Sequence, residues 1–295
     1  MSNPLPTTAG NESPLPTADD LAIMLGLREG PSPFVTRAWA HEGERNDDLA
    51  IFVGRFSKQP ILKNAIFAEF GAKYLPETVN RFVEAKFELP PPPSPPLAVF
   101  KIYNSYFEAM FGVLRLHFSY FAKYLRSKRS IALQGKILAR VFAERLAEMA
   151  PLLYKGTIID PNHEESLGCV LGVLMLMLDV FADDQEPIPA DVNITLLVFL
   201  QACKKSQDEN VRANGETLSS LLTVGHPNFS SERINFIRMT RGRNKCGLPG
   251  CEMTTNLRTC AGCKTICYCS PEHQRTHWSS KTSPPHKTYC YPTMY

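Results

Sequence analysis

The sequence predicts a mainly α-helical body followed by a small cysteine-rich domain, and three observations lead to this prediction. Apolar residues recur at three- and four-residue spacings from Asp19 onward, which is typical of amphipathic helices. No convincing period-two strand pattern occurs before residue 240. Seven of the nine cysteines lie between Cys246 and Cys290, so the two parts differ in chemistry as well as in secondary structure.

Composition divides the chain into three segments. Residues 1–18 are rich in Pro, Ser, Thr and Asn, and we expect a disordered tail there. Residues 19–240 are predicted to form an all-α domain, and residues 241–295 a separate C-terminal domain. Charge supports this boundary, because residues 241–295 carry eight basic side chains against two acidic ones while the whole chain has a net charge of only +3.

The first helices of the body are predicted at DDLAIFVGRF, ILKNAIFAEFGAKYL and PETVNRFVEAKFEL, with Pro76 at the first position of the third. The polyproline run at residues 90–96 then predicts an extended spacer, or alternatively an exposed ligand for a partner. A long helix with an aromatic stripe follows, and we expect the stripe to pack in the core. Its members are Phe100, Tyr103, Phe107, Met110, Phe111, Leu114, Phe118, Phe121 and Leu125.

Four further helices are predicted near residues 130–150, 164–182, 191–205 and 209–223. Asp191 and Asp208 stand where helix N-caps belong. Successive helices joined by short turns predict an irregular helical stack of the armadillo or HEAT type. The alternative is an irregular helical bundle.

The body gives no indication of catalysis, since it has no phosphate loop, dinucleotide fingerprint or nucleophile elbow. We therefore expect that the protein is not an enzyme. The longest apolar run, residues 167–181, is too short to span a bilayer and contains Asp179, so no membrane association is expected. With no signal peptide at the N-terminus and its cysteines crowded together, the chain is predicted to be cytoplasmic or nuclear.

The C-terminal domain contains pairs of metal-ligating side chains. Cys246 and Cys251 enclose a Leu-Pro-Gly turn, and Cys260 and Cys263 form a C-x-x-C pair around Gly262. Either spacing brings two thiolates to one ion. These pairs predict a metal site rather than structural cysteines.

Two more pairs include histidine. Ser270 and Pro271 predict the start of a helix, so His273 should lie one turn from Cys269 and pair with it. His286 and Cys290 form the fourth pair. The eight candidates are enough for two structural, tetrahedral zinc ions with three sulfurs and one nitrogen each. They are Cys246, Cys251, Cys260, Cys263, Cys269, His273, His286 and Cys290.

Two nearby residues are predicted not to bind metal. His277 lies a further helical turn beyond His273 and would need a different ion. Cys267 is expected to point away from Cys269 within the short strand TICYC. Spacing leaves open which pairs share an ion, because the two early pairs could also combine in sequence.

The order of these residues resembles the MYND-type zinc finger. The resemblance rests on the two early cysteine pairs and on Tyr268–Cys269, His273–Gln274, Trp278, His286–Lys287 and Cys290. Three features depart from the family pattern: the first pair is spaced by four residues rather than two, His273 replaces a cysteine, and the stretch from Trp278 to His286 is longer. The resemblance implies interleaved sites, in which the first and third pairs hold one zinc ion and the second and fourth pairs hold the other.

The resemblance also implies a function. MYND-like fingers generally recognise proline-containing peptides of partner proteins, with a P-x-L-x-P spacing associated with the family, so a protein–protein interaction adaptor is predicted. One alternative is a nucleic-acid-associated transcriptional regulator, since residues 231–245 contain five basic side chains. Another is a SET-type lysine methyltransferase, because such fingers also occur in SET domains and Asn162–His163 supplies an Asn-His dipeptide.

Overall fold

The computed structural model describes residues 14–35, 42–85, 104–128, 131–155, 158–159, 164–224 and 245–295. In these ranges the protein is mainly helical, with a Cys/His-rich region at the C-terminal end. Most of the predicted tail, the polyproline run and most of the basic segment 231–245 lie outside them. The helices of the body are α1 (Ala18–Met24), α2 (Glu42–Phe56), α3 (Pro60–Glu84), α4 (Ser105–Leu116), α5 (Phe118–Leu125), α6 (Leu133–Lys136), α7 (Leu138–Leu153), α8 (Glu164–Asp179), α9 (Ala190–Cys203) and α10 (Glu209–Val224).

Helix α1 begins with a capping box. The Thr17 hydroxyl oxygen accepts a hydrogen bond from the Asp20 amide at 3.1 Å, and the Asp20 carboxylate accepts one from the Thr17 amide at 3.0 Å. These two bonds satisfy backbone donors that the helix itself leaves without partners. The helix then buries Leu21 and Met24 against the body. The last residues of the predicted tail, Thr17 and Ala18, therefore belong to the start of a packed helix.

Helix α3 runs without interruption through Pro76, so the prediction of a separate helix starting at this residue is wrong. A proline inside a helix removes one backbone hydrogen bond. The helix nevertheless buries a long apolar face on both sides of Pro76, including Phe70 and Phe82, and this packing outweighs the local loss. In the same way, α7 includes Pro151 and ends only at Leu153.

The predicted aromatic helix is two helices, because the chain breaks at His117. This residue has φ −138° and ψ 51°, and it ends α4 and precedes α5. Its ring lies 2.7 Å from the Asn64 carbonyl oxygen, measured from Nε2. Most of the described stripe is buried as predicted, whereas Phe100 and Tyr103 lie outside the described residues. The buried members are Phe107, Met110, Leu114, Phe121 and Leu125.

The body is not entirely helical, which corrects the all-α prediction. Strand β1 (Tyr154–Lys155) follows α7 and pairs antiparallel with β2 (Ile158–Ile159). Strands of two residues are too short to show a period-two pattern in the sequence.

The two predicted N-caps have different outcomes. The Asp208 carboxylate accepts a hydrogen bond from the Val211 amide at 2.9 Å, as expected for the cap of α10. Asp191 instead lies in the first turn of α9, whose N-cap is Pro189. There it still suits the positive end of the helix dipole.

Helix α3 is central to the first half of the body and packs against α1, α2, α4, α5 and α6. In the second half, α10 packs against α8 and α9, and α7 packs against the same two helices. The halves meet at Phe142 of α7, whose ring centroid lies 5.0 Å from that of Phe82 and 5.8 Å from that of Phe107. An armadillo- or HEAT-like repeat remains a prediction for this arrangement.

No helix in the described ranges combines the length and the apolar character that crossing a membrane would require. The predicted apolar run lies largely within α8, which buries Leu171, Leu174 and Met177 in the core.

Candidate metal centre

The C-terminal region is built from short elements that position metal-ligating side chains. Strand β3 (Arg258–Thr259) pairs antiparallel with β4 (Cys267–Tyr268), followed by helix α11 (Pro271–Trp278) and a single 3-10 turn (His286–Thr288). The Ser270 hydroxyl accepts a hydrogen bond from the His273 amide at 3.2 Å, so Ser270 caps α11 as predicted. This cap sets the position of His273 one turn beyond Cys269.

The first cluster consists of Cys246, Cys251, Cys269 and His273, whose ligand atoms all lie within 4.8 Å of one another. The Nδ1 atom of His273 lies 3.6 Å from the Cys246 sulfur and 3.2 Å from the Cys269 sulfur. The sulfurs of Cys251 and Cys269 are 3.8 Å apart. The predicted Cys269–His273 pair therefore joins the first cysteine pair.

The second cluster consists of Cys260, Cys263, His286 and Cys290, which satisfy the same distance limit. The sulfurs of Cys260 and Cys290 are 3.7 Å apart, and His286 Nε2 lies 3.7 Å from the Cys263 sulfur. His286 is fully buried. The grouping is the interleaved one that the resemblance implies, because each cluster joins pairs that are not consecutive in the sequence.

These separations are those of a zinc tetrahedron. With zinc–sulfur bonds of about 2.3 Å and zinc–nitrogen bonds of about 2.0 Å, ideal tetrahedral geometry places two sulfurs ~3.8 Å apart and a sulfur and a nitrogen ~3.5 Å apart. The pairs at 3.8, 3.7 and 3.6 Å fit these edges, whereas the Cys269 sulfur and the His273 nitrogen, at 3.2 Å, are closer than the sulfur–nitrogen edge. Three thiols and one imidazole per cluster are also a donor set that zinc favours. The two clusters could therefore hold two zinc ions.

Two glycines allow the loops to close around the clusters. Gly250 has φ +83°, a conformation that side chains disfavour, and the turn it belongs to is closed by a hydrogen bond from the Cys251 amide to the Leu248 carbonyl at 3.0 Å. At Gly262, a Cβ atom would lie only 2.9 Å from the Cys290 sulfur. A side chain at this position would displace a candidate ligand.

Hydrogen-bond donors around two thiols favour the thiolate form that binds metal. Burial by itself would raise the pKa of Cys246, but hydrogen bonds from the backbone of Cys269 and Leu248 and from His273 outweigh it and lower the pKa to about 7. At Cys263, burial is likewise outweighed by His286 and Thr265, so the pKa is lowered. These two thiols therefore favour the thiolate form, whereas burial and neighbouring thiols raise the pKa of Cys269 and Cys290.

The comparison with known families decides what this region is. Residues 244–290 match the model of the MYND finger family. The C-terminal region is a MYND finger. MYND fingers bind zinc, and the two clusters could hold two zinc ions. The match leaves the helical body uncovered, and no curated protein and no solved structure is significantly similar to the chain.

His277 of the MYND finger lies outside both clusters and is 4 % exposed. Its Nδ1 lies 3.0 Å from the Tyr268 hydroxyl and its Nε2 lies 2.7 Å from the Tyr289 hydroxyl. Both ring nitrogens are thus used in the interior of the finger, and burial lowers the pKa of His277 to about 4. This residue helps to hold α11 to the rest of the finger.

Cys267 also lies outside both clusters, but the predicted reason is wrong. Residues two apart in a strand point to the same face, so alternation would not have separated Cys267 from Cys269. The strand in fact ends at Tyr268, and the chain turns before Cys269. The Cys267 sulfur lies 3.4 Å from the Thr259 hydroxyl, within the β3–β4 pair.

Sequence analysis did not predict that tyrosines of the finger pack against its histidines. Tyr268 is 1 % exposed, and its ring contacts both His277 and His286. Tyr289 lies against His286, with ring centroids 5.1 Å apart. The sequence could have indicated this role, because Tyr268 and Tyr289 each directly precede a candidate ligand and buried rings commonly shield metal sites from solvent.

Proposed function

We propose that this protein is a zinc-dependent protein–protein interaction adaptor whose finger recognises proline-containing peptides of partner proteins. The eight side chains of the two clusters are its zinc ligands. The observation that carries the proposal is the pair of four-donor clusters within a segment that matches the MYND family, whose members generally act as interaction modules.

We propose further that the protein is not an enzyme. Each cluster supplies four donors, so a tetrahedral zinc ion would keep no position for water or substrate and would be structural. The described strands are two residues long, which supports an adaptor over a SET-type methyltransferase. The Asn162–His163 dipeptide lies outside the described residues. With its cysteines grouped around metal sites, the protein belongs in the cytoplasm or the nucleus.

The finger offers an aromatic surface for a proline-containing peptide. Trp278, the last residue of α11, is 43 % exposed, and its ring centroid lies 5.9 Å from that of His286 in the second cluster. Extended proline-rich peptides dock on exposed aromatic rings because their conformation is already fixed before binding. Trp278 is therefore the residue that we expect to contact the peptide.

Fluorescence anisotropy with a labelled Pro-x-Leu-x-Pro peptide tests this proposal. We expect the zinc-loaded chain to bind the peptide and Trp278→Ala to bind it at least ~5-fold more weakly, because an interface aromatic residue often contributes more than 1 kcal/mol. Ile194→Ala is the matched control, since it truncates an exposed apolar residue (66 % exposed) on the body. Equal binding by Trp278→Ala and the parent would rule out Trp278 as a contact of the peptide.

Protein partners are favoured over nucleic acid because part of the finger's positive charge is already paired. Lys245 forms an ion pair with Glu252 at 2.7 Å, and Arg275 lies 3.5 Å from Glu272. A titration with duplex and single-stranded DNA at about 50 mM salt distinguishes the two classes, since phosphate contacts would give a strongly salt-dependent affinity.

A further inference from the structure

Pro76 leaves an unused acceptor in the middle of α3. In a regular helix the carbonyl of Ala72 would receive a hydrogen bond from the amide four residues later, but proline has no N–H. The Met294 amide donates to this Ala72 carbonyl instead, at 3.4 Å. A residue just beyond the second zinc cluster therefore takes the place of the missing helix donor.

The carbonyl of Gly71, next to that of Ala72, also accepts a hydrogen bond from the end of this segment. The hydroxyl of Tyr295 donates a hydrogen bond to the Gly71 carbonyl at 2.7 Å. The Tyr295 ring packs edge-on against Tyr124 of α5, with centroids 5.6 Å apart. Residues 294 and 295 thus lie along α3 and α5 at the position of the proline.

Tyr120 of α5 connects the body directly to the second cluster. Its hydroxyl donates to the Tyr289 carbonyl at 2.7 Å and accepts from the Tyr291 amide at 2.9 Å. These two bonds lie on either side of Cys290. Tyr120 is 1 % exposed, so both bonds are formed away from solvent, where an unpaired hydroxyl would be costly.

Lys123, one turn further along α5, makes further contacts with the finger and the segment that follows it. Its ammonium group donates to the carbonyl of Cys263 at 3.4 Å and to the hydroxyl of Thr293. It also lies over the Tyr295 ring, 5.7 Å from the centroid. The body therefore contacts the backbone at two members of the second cluster, on both sides of Cys290 and at Cys263 itself.

We propose that residues 289–295, the docking segment, lock the finger onto α3 and α5, and that this lock couples occupancy of the second zinc site to the packing of the body. Pro76 supplies the acceptor that receives the segment, and Tyr120 holds the backbone of Cys290. The finger is then a fixed part of the molecule, and a partner meets a composite surface of finger and body. This inference does not depend on which partner the finger binds.

The coupling is reciprocal, which makes it measurable from either side. Weakening the lock from the body should loosen the second site, and emptying the second site should loosen α5. The first cluster serves as an internal reference, since the contacts described above all involve the second cluster or the segment that follows it.

Hydrogen–deuterium exchange of the zinc-loaded full chain, read by mass spectrometry, tests the lock. We expect Tyr120→Phe to accelerate exchange in residues 286–295 on the order of 10-fold, because both hydrogen bonds of the hydroxyl are lost. We expect the release of one zinc equivalent to a chelator to be accelerated to a similar extent, on the order of 10-fold. Tyr106→Phe is the matched control, since it removes a tyrosine hydroxyl that accepts from Arg45 at 3.2 Å elsewhere on the body. We expect the control to exchange at the parent rate.

Pro76→Ala separates the lock from simple helix strain. The new amide can donate to the Ala72 carbonyl and compete with Met294, so we expect slower exchange in the middle of α3 together with faster exchange in the docking segment. Slower exchange of Pro76→Ala in both regions would overturn the proposal. It would also be overturned if the docking segment exchanged at the parent rate in both variants, Tyr120→Phe and Pro76→Ala. If Tyr120→Phe does not fold, Pro76→Ala alone decides, because it restores ordinary helix geometry.

Discussion

At the scale of single residues, His273 and His277 lie four positions apart on one short helix but have different roles. His273 reaches the sulfurs of the first cluster, whereas His277 bonds to two tyrosine hydroxyls. The difference arises from the Ser270 cap, which fixes where α11 begins and therefore which side of each turn faces the metal site.

This difference predicts distinct metal contents for substitutions. We expect His273→Ala to lose one of two zinc ions, since three donors bind zinc more weakly than four, and His273→Cys to retain both. His277→Ala should also retain both ions but lower the free energy of unfolding by about 1–3 kcal/mol, because the buried Tyr268 hydroxyl loses its partner and the half-buried Tyr289 hydroxyl loses one of two. Metal analysis after dialysis and thermal unfolding measure these outcomes.

Cys267→Ser is the matched control, since this buried thiol lies outside both clusters. We expect it to keep two zinc ions per chain. Loss of an ion from His277→Ala while His273→Ala keeps both would show that the first site is misassigned.

At the scale of elements, the junction between α4 and α5 depends on a buried neutral histidine. Burial lowers the pKa of His117 from the ordinary value of 6.5 to about 4, and the hydrogen bond to the Asn64 carbonyl opposes this only in part. Because the folded pKa lies below the unfolded one, the neutral ring stabilises the fold fully above pH 6.5, and this stability is lost as the pH falls toward 4.

We therefore expect His117→Gln to reduce the pH dependence of the body. Between the two pKa values, the free energy of unfolding of the parent should fall by up to about 3 kcal/mol more than that of the variant. Urea unfolding followed by circular dichroism measures this difference, and metal analysis at each pH shows whether the two proteins hold the same amount of zinc. Parallel pH profiles would mean that His117 becomes protonated without a cost to folding.

At the scale of the whole molecule, the finger and the body are expected to stabilise each other. The finger contains few large apolar residues of its own, so zinc binding supplies most of its folding free energy, roughly 10–16 kcal/mol per structural site. Its backbone is also bonded to Tyr120, Lys123 and the carbonyls of α3.

Chelation of zinc should therefore affect both parts, to different extents. We expect amides of residues 245–290 to lose protection almost completely, while the helical signal persists and its melting temperature falls by several degrees. A loss of about 2 kcal/mol from broken contacts corresponds to roughly 4–8 °C for a body of this size. Differential scanning calorimetry with and without chelator measures the shift, and an unchanged body transition would show that the two parts are independent.

The sequence predicted the features that depend on local chemistry. Ser270 and Pro271 specified the start of α11, Asp208 specified the cap of α10, and the spacing of cysteines and histidines indicated four pairs of side chains that the structure brings into two clusters. Helical periodicity also predicted that the body is mainly helical. These predictions succeeded because each depends on residues within one or two turns of one another, where backbone geometry is nearly fixed.

Tertiary structure decided what depends on distant partners. Pro76 remains inside α3 because packing along the helix outweighs one lost hydrogen bond, and its free acceptor is filled by Met294, more than two hundred residues later. The aromatic helix breaks at His117, whose ring bonds to Asn64 on α3. Tyr120 was not among the residues of the predicted stripe, and its hydroxyl bonds to backbone groups of the finger. Such contacts leave no periodic signal in the sequence, since they are specified by which surfaces meet once the helices have packed.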